Sequence, residues 1–193
     1  MILPIVKYGH PALRQKGARV QAMTPELTGL IADMLETMHG ARGVGLAAQQ
    51  VGRALQLTVL DVTEVTDRPS SMEMGGQPVE VKEFMPLVLI NPEVKPLGEP
   101  ATGPEGCLSF PEIYSDITRP ASVEVMAFNE HWEKIVFRCG GLLARAVQHE
   151  VDHLNGILFI DRMTTEARRD FKPELDALQA ATKAALKKAA EGA

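Results

Sequence analysis

The chain has 193 residues, 45% of them hydrophobic, which is enough for one well-buried core and short for two. Lys and Arg total 20 against 25 Asp and Glu, a formal net charge of −5 that argues against a general nucleic-acid binder; no specific DNA binding is expected. The longest apolar runs, such as Pro86 to Ile90, fall far short of the ~20 residues that cross a bilayer, so no membrane contact is expected.

The first ten residues, MILPIVKYGH, lack the charged lead, apolar stretch and cleavage site of an export signal. A cytoplasmic location follows as an expectation, with Cys107 and Cys139 reduced. Thr24-Pro25 followed by Leu27, Leu30, Ile31, Met34, Leu35 and Met38 reads as an N-cap, a first-turn proline and an apolar stripe at helical spacing, ended by Gly40. Strand patterns follow at 55–62, 87–91, 122–128 and 134–138, the last two joined by a hairpin connection over 129–133.

These strands are not separated by regular helices, which predicts an α+β fold with mainly antiparallel sheets. Between them, 64–84 is polar, carries Gly75-Gly76 and two prolines, and is long for a structureless loop. It reads as a mobile surface excursion rather than a lid, since nothing in it looks like site chemistry. From Thr164 onward the chain is Ala-rich and helical in propensity, interrupted by Pro173 and carrying Lys183, Lys187 and Lys188, as expected of a solvated terminal extension over 164–193. One catalytic domain over 1–193 is expected.

The chemistry concentrates in a helical segment from Gly140 to Gly156 that contains His-Glu-Val-Asp-His at 149–153. On a helix His149 and His153 lie about 40° apart, so both imidazoles leave one face a turn apart and can grip one metal ion. Glu150 falls beside that position, where its carboxylate can move the protons of a water nucleophile. Two imidazoles alone leave the set incomplete; a third ligand is needed.

Two more segments stand out: GVGLAAQQ at 43–50 and EGCLSFP at 105–111. Together and in this order the three segments resemble the peptide deformylase family, and the likeness runs from about Leu3 to about Met163. It implies sheets packed around a central helix that bears the two histidines, flanked by N-terminal and C-terminal helices. It also implies a metal-dependent hydrolase that removes the formyl group from N-formyl-methionyl nascent peptides and releases formate. In that frame Cys107 is the third ligand, a soft thiolate that leaves one coordination position open, as catalysis needs. Thiolate and imidazole suit zinc, nickel or cobalt, whereas the resemblance implies Fe(II), which would make the centre oxygen-sensitive.

The resemblance further assigns oxyanion stabilisation to the Gln50 side chain and the Leu108 backbone N–H, with Gln49 structural. Substrate backbone groups would meet Val44, Gly45 and Gly106; Gly43 and Gly45 permit close approach of an added strand. Leu142 and Ala146 share the histidine face of the helix and are expected to wall the methionine pocket, with Arg145 at the rim or in a surface pair. Glu105 and Arg119 read either as an ion pair that supports the cysteine loop or as an exposed pair. Cys139 reads as a core residue; His10, His39 and His131 read as structural or surface residues. The terminal lysines point to ribosome contact, as in some family members. Two other readings of the motif are a metallopeptidase acting on ordinary peptides and a non-catalytic metal or redox module.

Overall fold

The computed structural model describes residues 1–192. One seven-stranded sheet runs in the order β1-β2-β5-β6-β7-β3-β4, every neighbouring pair antiparallel. Its strands are β1 (Gly45–Ala47), β2 (Leu57–Leu60), β3 (Ser70–Met74), β4 (Gln77–Val79), β5 (Leu87–Cys107), β6 (Phe110–Phe128) and β7 (Lys134–Gly140). The helices are α1 (Pro25–Gly40), α2 (Gly141–Leu154), α3 (Thr165–Asp170) and α4 (Lys172–Glu191). The α+β reading therefore holds, and no helix among the described residues is long and apolar enough to cross a membrane.

Helix α1 forms as its sequence dictates. The Thr24 hydroxyl accepts the Leu27 N–H at 3.1 Å, and Pro25 occupies the first turn where its missing N–H costs nothing. Met34 and Met38 are wholly buried against β1, β2 and the start of β5; removing each such side chain from water contributes roughly 1.5–3 kcal/mol. A second apolar cluster joins the first half of α2, through Leu143, Ala144 and Val147, to the inner faces of β5, β6 and β7. A third gathers the tip of the β5–β6 hairpin around Phe110, Ile117, Phe159 and Leu175.

Two expectations are corrected. Strand β5 continues past Asn91 to Cys107, and β6 begins at Phe110 rather than near Ser122. Prolines at 92, 96, 100 and 104 make this stretch read as irregular. They are tolerated because β2 pairs only with Leu87–Ile90, so beyond that point one side of β5 is an open edge and a missing N–H removes no ladder bond.

The 64–84 segment is not a structureless excursion. Gly75 and Gly76, both at positive φ, turn β3 into β4, and β3 pairs with β7. Its base also completes α2. Gly140 offers no side chain to cap that helix, and the free N–H groups of Leu142 and Leu143 donate instead to the Pro69 carbonyl at 2.9 Å and the Ser70 hydroxyl at 3.0 Å.

Candidate metal centre and active site

Cys107 ends β5 at the tip of the long hairpin, and the turn that follows is clamped from the N-terminal segment. The Tyr8 N–H donates to the Ser109 carbonyl at 3.0 Å, Lys7 Nζ donates to the Leu108 carbonyl at 2.8 Å, and the Phe110 ring stacks on Tyr8 with an edge toward Phe159. Helix α2 approaches from the other side and presents His149 and His153 one turn apart. The thiol sulfur and one nitrogen of each imidazole all lie within 4.8 Å of one another, with Cys107 Sγ 3.3 Å from His153 Nε2. One soft sulfur and two imidazole nitrogens, on rigid elements and largely buried, make a donor set that suits a divalent transition metal.

A buried ion network orients this set. The Glu105 carboxylate accepts from Arg119 at 2.6 and 2.9 Å, from Arg145 Nη1 at 2.8 Å and from His149 Nδ1 at 2.9 Å, leaving the other ring nitrogen of His149 for the centre. Arg119, only 4% exposed, reaches on to Asp152 at 2.8 Å, which Arg162 also holds. Glu105 and Arg119 are thus a buried supporting pair rather than an exposed one. Arg145 is neither a surface pair nor a free rim residue; besides Glu105 it donates to the Ile117 and Ala101 carbonyls, which meets the cost of bringing a guanidinium out of water.

Burial opposes the charge on Glu105, yet the His149 and Arg119 hydrogen bonds hold its carboxyl well below the usual carboxylate range. Burial also pulls His149 down, but its bonds to Cys107 and Glu105 outweigh that and raise it; His153 is held well below its ordinary value by burial and by His149. Glu150 is the odd carboxylate. Burial lifts it to about 7, with His149 opposing, and its Oε2 has no partner among the described residues. It lies against β1, where a Cβ added to Gly45 would sit 2.5 Å from Glu150 Oε1.

Gln50 is fixed by its own turn: Oε1 accepts the Ala47 N–H at 2.9 Å, and Nε2 points at Ser109 Oγ at 3.2 Å and Cys107 Sγ at 3.5 Å. Gln49 is fully buried and directs its amide to the Leu154 and Gln15 carbonyls, away from this pair. A cavity of about 450 Å³ opens beside the cluster. Gly43, Val44 and Gly45 line one wall, Gly106 and Leu108 another, and Leu142, Ala146, His149 and Glu150 the floor. Cys139 stays in the core of β7, its thiol pushed up to about 12 by burial. His10 caps the turn at Pro11–Arg14, and His39 meets Asp61 on the surface.

Sequence reasoning missed several residues here. Lys7, Arg42, Arg68 and Tyr114 also line the cavity, and Asp152 with Arg162 extends the ion network. Asp152 sits on α2 within the His-Glu-Val-Asp-His turn, and that motif is its signal; Lys7, Arg42, Arg68, Tyr114 and Arg162 carry no spacing signal, because each comes from a different part of the chain.

The sequence pattern that defines the polypeptide deformylase family matches residues 2–169. A peptide deformylase of Opitutus terrae is 43% identical over 189 residues, covering 97% of this chain and 98% of the relative; one of Methylacidiphilum infernorum is 45% identical over 179 residues, covering 93% and 94%. The crystal structure of a peptide deformylase from Legionella pneumophila superposes with a TM-score of 0.78 at 32% identity, covering 95% of this chain and 98% of that one. With the site geometry, these matches show that the chain belongs to the polypeptide deformylase family, hydrolases that remove the formyl group from the N-terminal methionine of polypeptides.

Proposed function

We infer that this chain deformylates N-formyl-methionyl nascent peptides, with a divalent cation, Fe(II) in its working form, held by Cys107, His149 and His153. The observation that carries the reading is the juxtaposition of this three-ligand cluster with the buried, unpartnered Glu150 carboxylate in one cavity. When bound, the cation supplies Lewis acidity, which brings the pKa of water to about 7. Glu150 takes a proton from the attacking water at Oε2 and returns it to the departing amine. Gln50 Nε2 and the Leu108 N–H donate to the oxyanion that develops on the formyl oxygen as water adds to the formyl carbon. The backbone of Gly43, Val44, Gly45 and Gly106 aligns the peptide as an added strand, and Leu142 and Ala146 wall the methionine side chain. Nascent chains of this kind emerge in the cytoplasm, which is where the reading places the enzyme.

The test is formate release from formyl-Met-Ala-Ser by anaerobically purified protein, before and after chelator treatment and with Fe(II), Ni(II), Co(II) or Zn(II) restored. Release should require the metal and be highest with Fe(II). Cleavage of internal bonds in the unformylated peptide, with no formate produced, would point instead to a metallopeptidase.

The reading extends to the ribosome through α4, where Lys183 and Lys188 are exposed and free of carboxylate partners among the described residues. Leu175 of α4 is buried in the core, so truncation would damage the fold and charge replacement is the cleaner probe. Exchanging Lys183, Lys187 and Lys188 for glutamate should weaken ribosome co-sedimentation and flatten its salt dependence; unchanged sedimentation rejects the contact.

A further inference from the structure

The mouth of the cavity carries a charge pattern opposite to that of the molecule. The chain is net acidic at −5, and most of its arginines are neutralised: Arg14, Arg119, Arg138, Arg145, Arg162, Arg168 and Arg169 each lie within 3.6 Å of a carboxylate oxygen, whereas Arg19 and Arg53, which do not line the cavity, have no such partner among the described residues. Among the described residues, Lys7, Arg42 and Arg68 have no such partner, and all three line the cavity. Lys7 and Arg68 are held by carbonyl groups alone, those of Leu108 at 2.8 Å and Pro104 at 3.2 Å. Against them the lining offers Glu112, Glu150 in the floor, and Glu105, whose charge Arg119 and Arg145 already offset.

Their positions fit the path of a bound chain. β1 is the first strand of the sheet, so the side of it not paired with β2 is free, and the Glu150 carboxylate lies against Gly45. A peptide whose reacting end is at Glu150 and which runs along this edge away from it passes Val44 and Gly43 and reaches Arg42 after three residues. On the opposite wall, Arg68 is tied to Pro104, two residues back along β5 from Gly106. A chain bound this way would bring the residues that follow its reacting end to the part of the mouth that Arg42 and Arg68 line.

Resting on the deformylase reading, we propose that Arg42 and Arg68, with Lys7, make this enzyme select formylated chains that carry an acidic side chain at the second or third position, after the formyl-methionine. The formylated terminus is itself uncharged, so these side chains are the first charges that the mouth meets. Exposed cations act chiefly on encounter and on KM, and their effect is screened by salt.

The test uses C-terminally amidated peptides, so that no terminal carboxylate confuses the comparison, with Glu, Gln or Lys at the second or at the third position after formyl-Met at the first. At low salt kcat/KM should fall in the order Glu, Gln, Lys, spanning about tenfold at the more sensitive position, carried mainly by KM, and the span should shrink to about twofold at 0.5 M salt. The Arg42→Glu/Arg68→Glu double variant should reverse the order. Equal rates for the three peptides at both positions, a span that salt does not reduce, or an order that the double variant leaves unchanged would overturn the proposal. Failure to release formate even from the Gln peptides would instead sink the deformylase reading, so the two failures are distinct. The wild-type salt series stands whether or not the variant folds.

Discussion

Replacing Glu150 by glutamine should lower formate release by about a thousandfold while the protein still binds its metal. A positioned acid–base group contributes about 10² to 10⁴ to such reactions, and of the other carboxylates that line the cavity Glu105 is spent on Arg119, Arg145 and His149 while Glu112 is exposed to solvent. Glutamine keeps the shape and removes proton transfer. Metal content by elemental analysis and kcat on formyl-Met-Ala-Ser separate the two effects; a variant that retains activity within tenfold would show that the proton moves elsewhere. A steric companion is Gly45→Ala. The new methyl would occupy the space of Glu150 Oε1, Cγ and Cδ, all within 2.8 Å, so the carboxylate must shift and activity should fall by at least about a hundredfold without loss of metal.

Removing the hub of the ion network should be the costliest single change to stability. Glu105→Ala leaves Arg119, almost wholly buried, and Arg145 without their common acceptor, and frees the His149 ring to turn. Breaking a buried pair by deleting one partner costs about 3–5 kcal/mol, because the surviving charge stays out of water unpaired. For a chain of this size that is a fall in Tm of roughly 10 °C. The same variant should lose metal faster to a chelator, since His149 is then no longer held by its Nδ1–H. A melting temperature within about 2 °C of the parent, with unchanged metal retention, would mean that the network is not what holds the centre together.

What the sequence discloses and what it hides divide along physical lines. The amphipathic stripe of α1 and the His-Glu-Val-Asp-His turn are legible because one helix face packs against one environment, so period and burial coincide. The course of β5 is hidden, because its prolines obey the rules of an open edge, which depends on where β2 stops. The Gly75-Gly76 pair reads equally as loop or hairpin turn until β7 supplies a partner for β3. At the site, Cys107 is legible through its flanking motif and Glu105–Arg119 as a candidate pair. Arg145 and Asp152 share α2 with the histidines and are legible in place, but their pairing with Glu105 and Arg119 of the β5–β6 hairpin is not; the cations at the cavity mouth come from separate segments and carry no local pattern.

The base of the β3–β4 hairpin does for α2 what a capping residue in its own sequence would normally do, from some seventy positions away. The helix that bears both imidazoles is therefore not an autonomous unit. Two N–H groups of its first turn find their acceptors only when a distant ribbon has docked, so the order of this turn is tied to the presence of that ribbon. For anyone trimming or grafting loops here, the Gly75-Gly76 tip is the place to cut or insert, whereas shortening the stretch at Pro69 and Ser70 would unseat the machinery from behind.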